Sequence, residues 1–203
     1  MRQLTHLRTD PPVGFAAQVL RAVGVPVGDD RVVLVEGPVG QVFVAYNDAG
    51  ICHVAAAAVV DGDPDRFADR HRRRFGREVW PANEPPPGLL PALRTGRGSD
   101  LAYDLTSVSA FARAVLRAAL LIPPGEVRSY GWVAREIGTP AATRAVGSAL
   151  GRNPVPILVP CHRVVRSDGR IGDYAFGSAM KRNLLQLEGV PAATPQRWES
   201  ADR

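Results

Sequence analysis

Between residues 81 and 99 the chain places five prolines, Pro81, Pro85, Pro86, Pro87 and Pro91, among Gly88, Gly96, Gly98 and Ser99. Proline fixes φ and has no amide donor, so neither a long helix nor a central strand can run through such a stretch. The 203 residues are thereby divided, and residues 81–105 read as a linker between two domains. The hydrophobic pattern changes period across this boundary.

Ahead of it, Arg31–Glu36 and Gly40–Tyr46 read as strands joined at Gly37-Pro38. Ile51–Val60 continues the β pattern after the turn Asn47-Asp48-Ala49-Gly50. Asp65–Phe75 reads as a helix bearing Arg66, Arg70, Arg72, Arg73 and Arg74. A solvated helix face explains that cluster more simply than phosphate contact does. Residues 31–80 are thus expected to form a small β-sheet with a helix. Residues 1–30 form an extension with one amphipathic candidate, Phe15–Val25.

Behind it the pattern is helical. Val108, Phe111, Ala112, Val115 and Ala119 share one face, with Thr106 or Ser107 able to cap and Pro123-Pro124-Gly125 as a stop. Ser129 can cap Tyr130–Ile137, which Gly138 ends, and Thr139 is expected to cap a second helix with Pro140 at its first position. Helix, glycine turn and helix is the layout of a helix-turn-helix, though core hairpins share it. The second helix is unusually smooth: Ala141, Ala142, Ala145, Gly147, Ser148 and Ala149 are all small, and Arg144 is the long side chain among them. This domain spans residues 106–190, leaving 191–203 as a tail.

Charge is divided too. Residues 1–105 carry 12 Arg and 13 acids, whereas residues 106–190 carry 11 Lys+Arg and 5 acids. A basic segment hints at a polyanionic partner, though a solvated basic face fits equally well. No window approaches the roughly 18 continuous apolar residues of a membrane span, and Met1–Asp10 is too polar for a secretory signal. With only Cys52 and Cys161, neither a disulfide scaffold nor a four-ligand zinc site is expected. The expected location is cytoplasmic.

Chemistry concentrates in Asn153-Pro-Val-Pro-Ile-Leu-Val-Pro-Cys161-His162-Arg163-Val164-Val165. Ile157–Val159 reads as a short buried strand that Pro160 ends, placing the Cys161 sulfur at a strand end. A thiol attacks only as thiolate and needs a base or cation nearby. His162 is adjacent, but neighbouring side chains on extended backbone point apart. On chemistry alone the segment fits a buried inert cysteine as well as a nucleophile.

Pro160-Cys161-His162-Arg163-Val164-Val165 resembles the active-site signature of the O6-alkylguanine-DNA alkyltransferases, the methylated-DNA–protein-cysteine methyltransferases. Ile122-Pro-Pro-Gly-Glu-Val-Arg-Ser-Tyr130, Arg144-Ala-Val-Gly, Asn153-Pro and Leu184-Leu-Gln-Leu-Glu188-Gly follow in the family's order and spacing. The resemblance is strong over 106–190, and 31–79 is similar to the family's N-terminal α/β domain. It implies an α/β (α+β) fold with a mostly helical, winged helix-turn-helix-like C-terminal domain. It also implies irreversible, stoichiometric repair of O6-alkylguanine, chiefly O6-methylguanine and also O4-methylthymine, in duplex DNA. The implied partner is double-stranded DNA approached through the minor groove by a monomer, with no cofactor, metal or membrane.

The resemblance also assigns roles. Cys161 would accept the alkyl group, His162 would relay its proton through a water to Glu188, and Asn153 would brace the turn before the active-site strand. Tyr130 would crowd the phosphate 3′ to the target nucleotide, and Arg144 would fill the space left by the flipped base. Ala142, Ala145 and Gly147 would let the helix approach DNA closely. Tyr174 would donate to guanine O6, the carbonyls of Cys161 and Val164 would read the exocyclic amine, and Ala175 would lie beside the substrate. Phe176 occupies a position that is small in many members, so a narrowed alkyl pocket is expected. Relatives that carry zinc in the N-terminal domain use a ligand set that Cys52 and His53 cannot supply. Non-catalytic relatives replace the cysteine, a helix-turn-helix regulator would need more long polar side chains on its second helix, and a cysteine phosphatase loop needs a different cysteine-to-arginine spacing.

Overall fold

Proline and glycine at a hairpin tip decide the first element of the fold. The computed structural model describes residues 30–172 and 174–190; the Phe15–Val25 helix and the 191–203 tail expected from the sequence lie outside them. Strand β1 (Asp30–Gly37) turns at Pro38 into β2 (Gly40–Asn47), and β3 (Gly50–Ala56) follows. The pairing is antiparallel, with Leu34 opposite Phe43 and Val44 opposite Val54. The expected third strand stops four residues early, because Ala57–Val60 winds into a 3-10 turn closed by Asp61 in the left-handed region.

Helix α1 (Pro64–Phe75) begins where Asp63 accepts the amides of Asp65 and Arg66, and ends at Gly76 with φ 67°. Strand β4 (Val79–Pro81) returns parallel to β1, giving the order β3-β2-β1-β4. Both faces of β2 are covered. Phe43 and Ala45 pack against Phe67 of α1, while Val42, Val44 and Tyr46 join a core that continues into the helical half. That double burial explains the unbroken apolar run in the strand.

The linker expected at 81–105 is instead built into this core. Helix α2 (Leu89–Thr95) tolerates Pro91 within its first turn and buries Leu89, Ala92 and Leu93. Gly98 packs against the active-site segment so closely that a Cβ there would lie 2.1 Å from the Leu158 carbonyl oxygen.

Helix α3 (Ala110–Leu120) buries Val115, Leu116, Ala118 and Ala119, and its cap is Ser109, whose Oγ accepts the Ala112 amide. Thr106 is engaged elsewhere, with its amide and hydroxyl on Asp104. A two-residue strand β5 (Arg128–Ser129) leads into α4 (Tyr130–Glu136), where the Ser129 hydroxyl accepts the Trp132 amide as expected. Gly138 turns the chain, a 3-10 turn (Pro140–Ala142) follows without a side-chain cap from Thr139, and α5 (Thr143–Gly151) continues it. Strand β6 (Val164–Val165) pairs parallel with β5, and α6 (Gly177–Leu187) closes the described chain. This is a mixed α/β fold with an N-terminal sheet and a helical C-terminal half. Among the described residues no helix is long and apolar enough to cross a membrane.

Candidate active site

The segment ahead of Cys161 carries Pro154, Pro156 and Pro160, three residues that cannot donate to a sheet ladder. The expected strand at Ile157–Val159 is accordingly a buried turn, with Ile157 in the left-handed region at φ 74°. Asn153 holds it. Its Oδ1 accepts the Val155 amide at 3.0 Å and its Nδ2 donates to the Val159 carbonyl at 3.0 Å. The same amide nitrogen lies 3.2 Å from Cys161 Sγ, so one side chain shapes the turn and touches the thiol. The Pro154 carbonyl accepts the Val54 amide of β3, tying the turn to the N-terminal sheet.

Cys161 opens a 3-10 turn, Cys161–Arg163, that leads into β6. Burial raises its thiol pKa, while the Asn153 amide and the Lys181 ammonium pull it back down. The side chains of the other two turn residues, His162 and Arg163, both meet Glu188. His162 Nε2 donates to Glu188 Oε1 at 3.0 Å, a direct bond. If Nε2 carries the proton, the neutral ring presents a lone pair at Nδ1, which is buried without a protein partner. Burial also lowers the His162 pKa, against the opposing pull of Glu188.

Glu188 is the C-cap of α6. Burial pushes its carboxyl up, but the hydrogen bonds from His162 and Arg163 outweigh this and hold it at about 2. Arg163 is the residue that sequence reasoning passed over. Only 2% exposed, it donates Nε to Glu188 Oε2 at 2.9 Å and Nη2 to Oε1 at 2.8 Å. Its remaining donors reach the carbonyls of Ile122 at 2.7 Å and Gly96 at 2.6 Å. Its place inside the Pro-Cys-His-Arg motif was the available signal. Lys181 was missed as well, although it is the one lysine in a chain of arginines. It is fully buried, donates to the Val164 carbonyl at 2.7 Å and lies 5.9 Å from the Tyr130 ring centroid.

Above the thiol opens a cleft of about 870 Å³. Cys161, Tyr130, Arg144, Gly147, Tyr174 and Ala175 all line it. Gly172, at φ 69°, gives Tyr130 its place, since a Cβ there would lie 2.9 Å from the Tyr130 hydroxyl. The Tyr174 hydroxyl is buried without a hydrogen bond of ordinary geometry, and burial together with the Cys161 sulfur keeps it protonated well above the usual tyrosine range. Asn153, His162, Val164 and Glu188 stand behind the cysteine and outside the cleft lining. Ala145 is exposed on α5, and Ala142 is half-buried in the turn that precedes it.

Phe176 is not part of this wall. It immediately precedes α6, stands edge-on to Tyr174 with ring centroids 5.7 Å apart, and lines a separate groove with Pro38, Val39 and Met180. The expected narrowing of the alkyl pocket by its ring is not met in this arrangement.

The N-terminal half holds a second polar cluster. Asp30, Cys52 and His71 bring three potential metal-ligand atoms within 4.8 Å of one another, a grouping that the sequence pairing of Cys52 with His53 did not foresee. These donors are already committed. Asp30 Oδ2 accepts from His71 Nε2 and Arg77 Nε, each at 2.8 Å, and the Cys52 thiol is pushed up to about 12 by burial and by Asp30. The Arg77 guanidinium also bonds Asp104 and supplies the positive charge there, so these residues do not fit a divalent ion.

Fold and site together define a protein organised around one buried cysteine, backed by an Asn–His–Glu–Arg network, at the foot of a cleft walled by a helix-turn-helix. A family profile described as "6-O-methylguanine DNA methyltransferase, DNA binding domain" matches residues 110–190. The methylated-DNA–protein-cysteine methyltransferase of Methanosarcina barkeri is 35% identical over 159 residues, covering 76% of this chain and 94% of that protein. The protein of that name from Mycobacterium tuberculosis is 49% identical over 89 residues, covering 44% of this chain and 53% of that protein, so that match spans about half its length. The crystal structure of M. tuberculosis OGT in complex with DNA superposes with a TM-score of 0.62 at 32% identity, over 80% of this chain and 95% of that one. The chain belongs to the methylated-DNA–protein-cysteine methyltransferase family.

Proposed function

We propose that this protein repairs O6-alkylguanine in duplex DNA by moving the alkyl group irreversibly onto Cys161. The observation that carries the reading is the convergence of the buried thiol, its Asn153 hydrogen bond and the His162–Glu188 pair beneath a cleft lined by Arg144 and Tyr130. A base stacked in a helix cannot present its O6 substituent to a buried sulfur, so the nucleotide must rotate out at a cost of roughly a few kcal/mol. The small side chains of α5 fit close approach through the minor groove, with Arg144 filling the vacated stack and Tyr130 pressing on the adjacent phosphate. The excess positive charge of residues 106–190 supplies sequence-independent attraction.

In this reading His162 Nδ1 takes the thiol proton through one bridging water, and Glu188 and Arg163 hold the ring in the tautomer that makes this possible. The thiolate attacks the alkyl carbon in line as the carbon–O6 bond breaks. Tyr174 donates to the departing oxygen, and the guanine ends with the proton that the thiol lost. Atoms and charge balance between thiol and alkylguanine alone. The carbon–sulfur bond of the thioether is stable to water and is not cleaved by thiol exchange, so nothing returns Cys161 to the free thiol. One molecule therefore repairs one lesion, acting as a monomer. Intact-protein mass spectrometry after incubation with O6-methylguanine duplex tests this: one methyl on the Cys161 peptide and unmodified guanine in the DNA are expected. An unchanged protein mass alongside intact lesion would overturn the reading.

A further inference from the structure

The arginines of α1 do not all behave as a solvated face. Arg66 is paired with Asp61 and Asp63, and Arg72 with Asp69 and Glu78. Arg70, Arg73 and Arg74 have no carboxylate within ion-pair distance among the described residues, and neither does the exposed Arg152. At 100° per residue, Arg70, Arg73 and Arg74 fall within one 100° arc of the helix; Asp69, four residues before Arg73, borders that arc but is paired with Arg72. Arg74 also crosses between the two halves of the molecule and donates to the carbonyl of Arg152, just past the end of α5. Gly151, the preceding residue, lines the cleft above Cys161. The four unpaired cations therefore begin where the cleft ends, about 12 Å along α5 from Arg144 at 1.5 Å per residue.

We infer that Arg70, Arg73, Arg74 and Arg152 form a second phosphate-binding surface, which holds the backbone of the same duplex whose damaged base enters the cleft. The inference rests on the proposal that α5 faces duplex DNA. Like charges gathered without ion-pair partners destabilise one another and gain when a polyanion supplies the missing charge. Contacts of this kind position a duplex without reading its sequence. They also lengthen the footprint from the recognition helix towards the N-terminal sheet. Arg74 keeps its structural bond to Arg152, so Arg70 and Arg73 are the pair whose role is separable from the fold.

The experiment measures binding of undamaged duplex DNA against NaCl concentration for the wild type, Arg70→Ala/Arg73→Ala and Arg70→Lys/Arg73→Lys, with unfolding temperature as a check on the fold. Loss of two phosphate contacts should flatten the log–log salt slope by about 1.8, or about 60-fold in affinity at 0.1 M relative to 1 M. The lysine pair keeps the charge and should keep the slope. An alanine pair with the wild-type slope overturns the inference. So does a lysine pair that flattens the slope as the alanine pair does. Wild-type protein that shows no salt-dependent DNA binding would instead overturn the functional reading on which the inference stands.

Discussion

Replacing Glu188 with glutamine tests whether one carboxylate both holds Arg163 and tunes His162. Glutamine preserves shape but removes the charge that accepts three donors within 3.0 Å, from His162 Nε2, Arg163 Nε and Arg163 Nη2. The carboxyl titrates at about 2 in the fold against 4.5 when free. At 1.36 kcal/mol per pKa unit, that difference corresponds to about 3 kcal/mol of stability. The side chain is only 12% exposed, so solvent screening takes little of it away. Removing one member of a buried pair costs about 3–5 kcal/mol by general experience, which agrees. Because the folded pKa is the lower one, the unfolded chain binds the proton more readily. Glu188's contribution is whole above about pH 5, fades as pH falls below 4.5, and is gone by about pH 2. Urea unfolding of both proteins at pH 7, 5, 4 and 3 gives the difference, while Asp30 and Asp104, also held low, titrate in both and cancel. The gap should be about 3 kcal/mol at pH 7 and under half that at pH 3. A gap below 1 kcal/mol at pH 7, or one that does not shrink with acid, refutes the reasoning. Transfer by the glutamine variant should also slow by about a hundredfold, the lower end for loss of general-base support.

Asn153→Asp should transfer more slowly than Asn153→Ala, since its carboxylate faces the sulfur and raises the thiol pKa further; single-turnover rates of the two variants decide it. Cys161→Ser should take up no labelled methyl while still binding duplex, because a hydroxyl stays protonated there, and Cys52→Ser should be labelled like the wild type. Arg144→Ala should slow repair in duplex by about tenfold to hundredfold, the equivalent of 1.4–2.8 kcal/mol, and leave reaction with the free modified base nearly unchanged. Equal slowing on both substrates would remove Arg144 from base flipping. Phe176→Ala should leave the ratio of benzyl to methyl transfer unchanged, as its ring lines a groove apart from the cleft; a marked rise with the benzyl substrate would return the ring to the pocket.

Local signals were legible in the chain wherever the deciding interaction lies within a few residues. The hairpin at Gly37-Pro38, the Ser129 cap and the Gly138 stop depend on φ preferences and on hydrogen bonds to the next turn, so the sequence by itself determined them. The cysteine motif was legible for the same reason, being contiguous. Tertiary structure decided the rest. Whether Ile157–Val159 is strand or turn rests on the Asn153 side chain bonding both ends of the loop, which no apolar period encodes. The proline-rich stretch became part of the core because Leu89 and Leu93 found an apolar surface and because the Gly96 carbonyl, 67 residues away in sequence, meets Arg163. Arg163 itself reads as an ordinary surface cation until Glu188 and the Ile122 carbonyl are brought to it. Phe176 lines a groove whose other wall, Pro38 and Val39, is supplied by the other half of the chain. A buried charge or ring is placed by partners that only folding assembles, and its cost or gain exists only once water has been excluded around it.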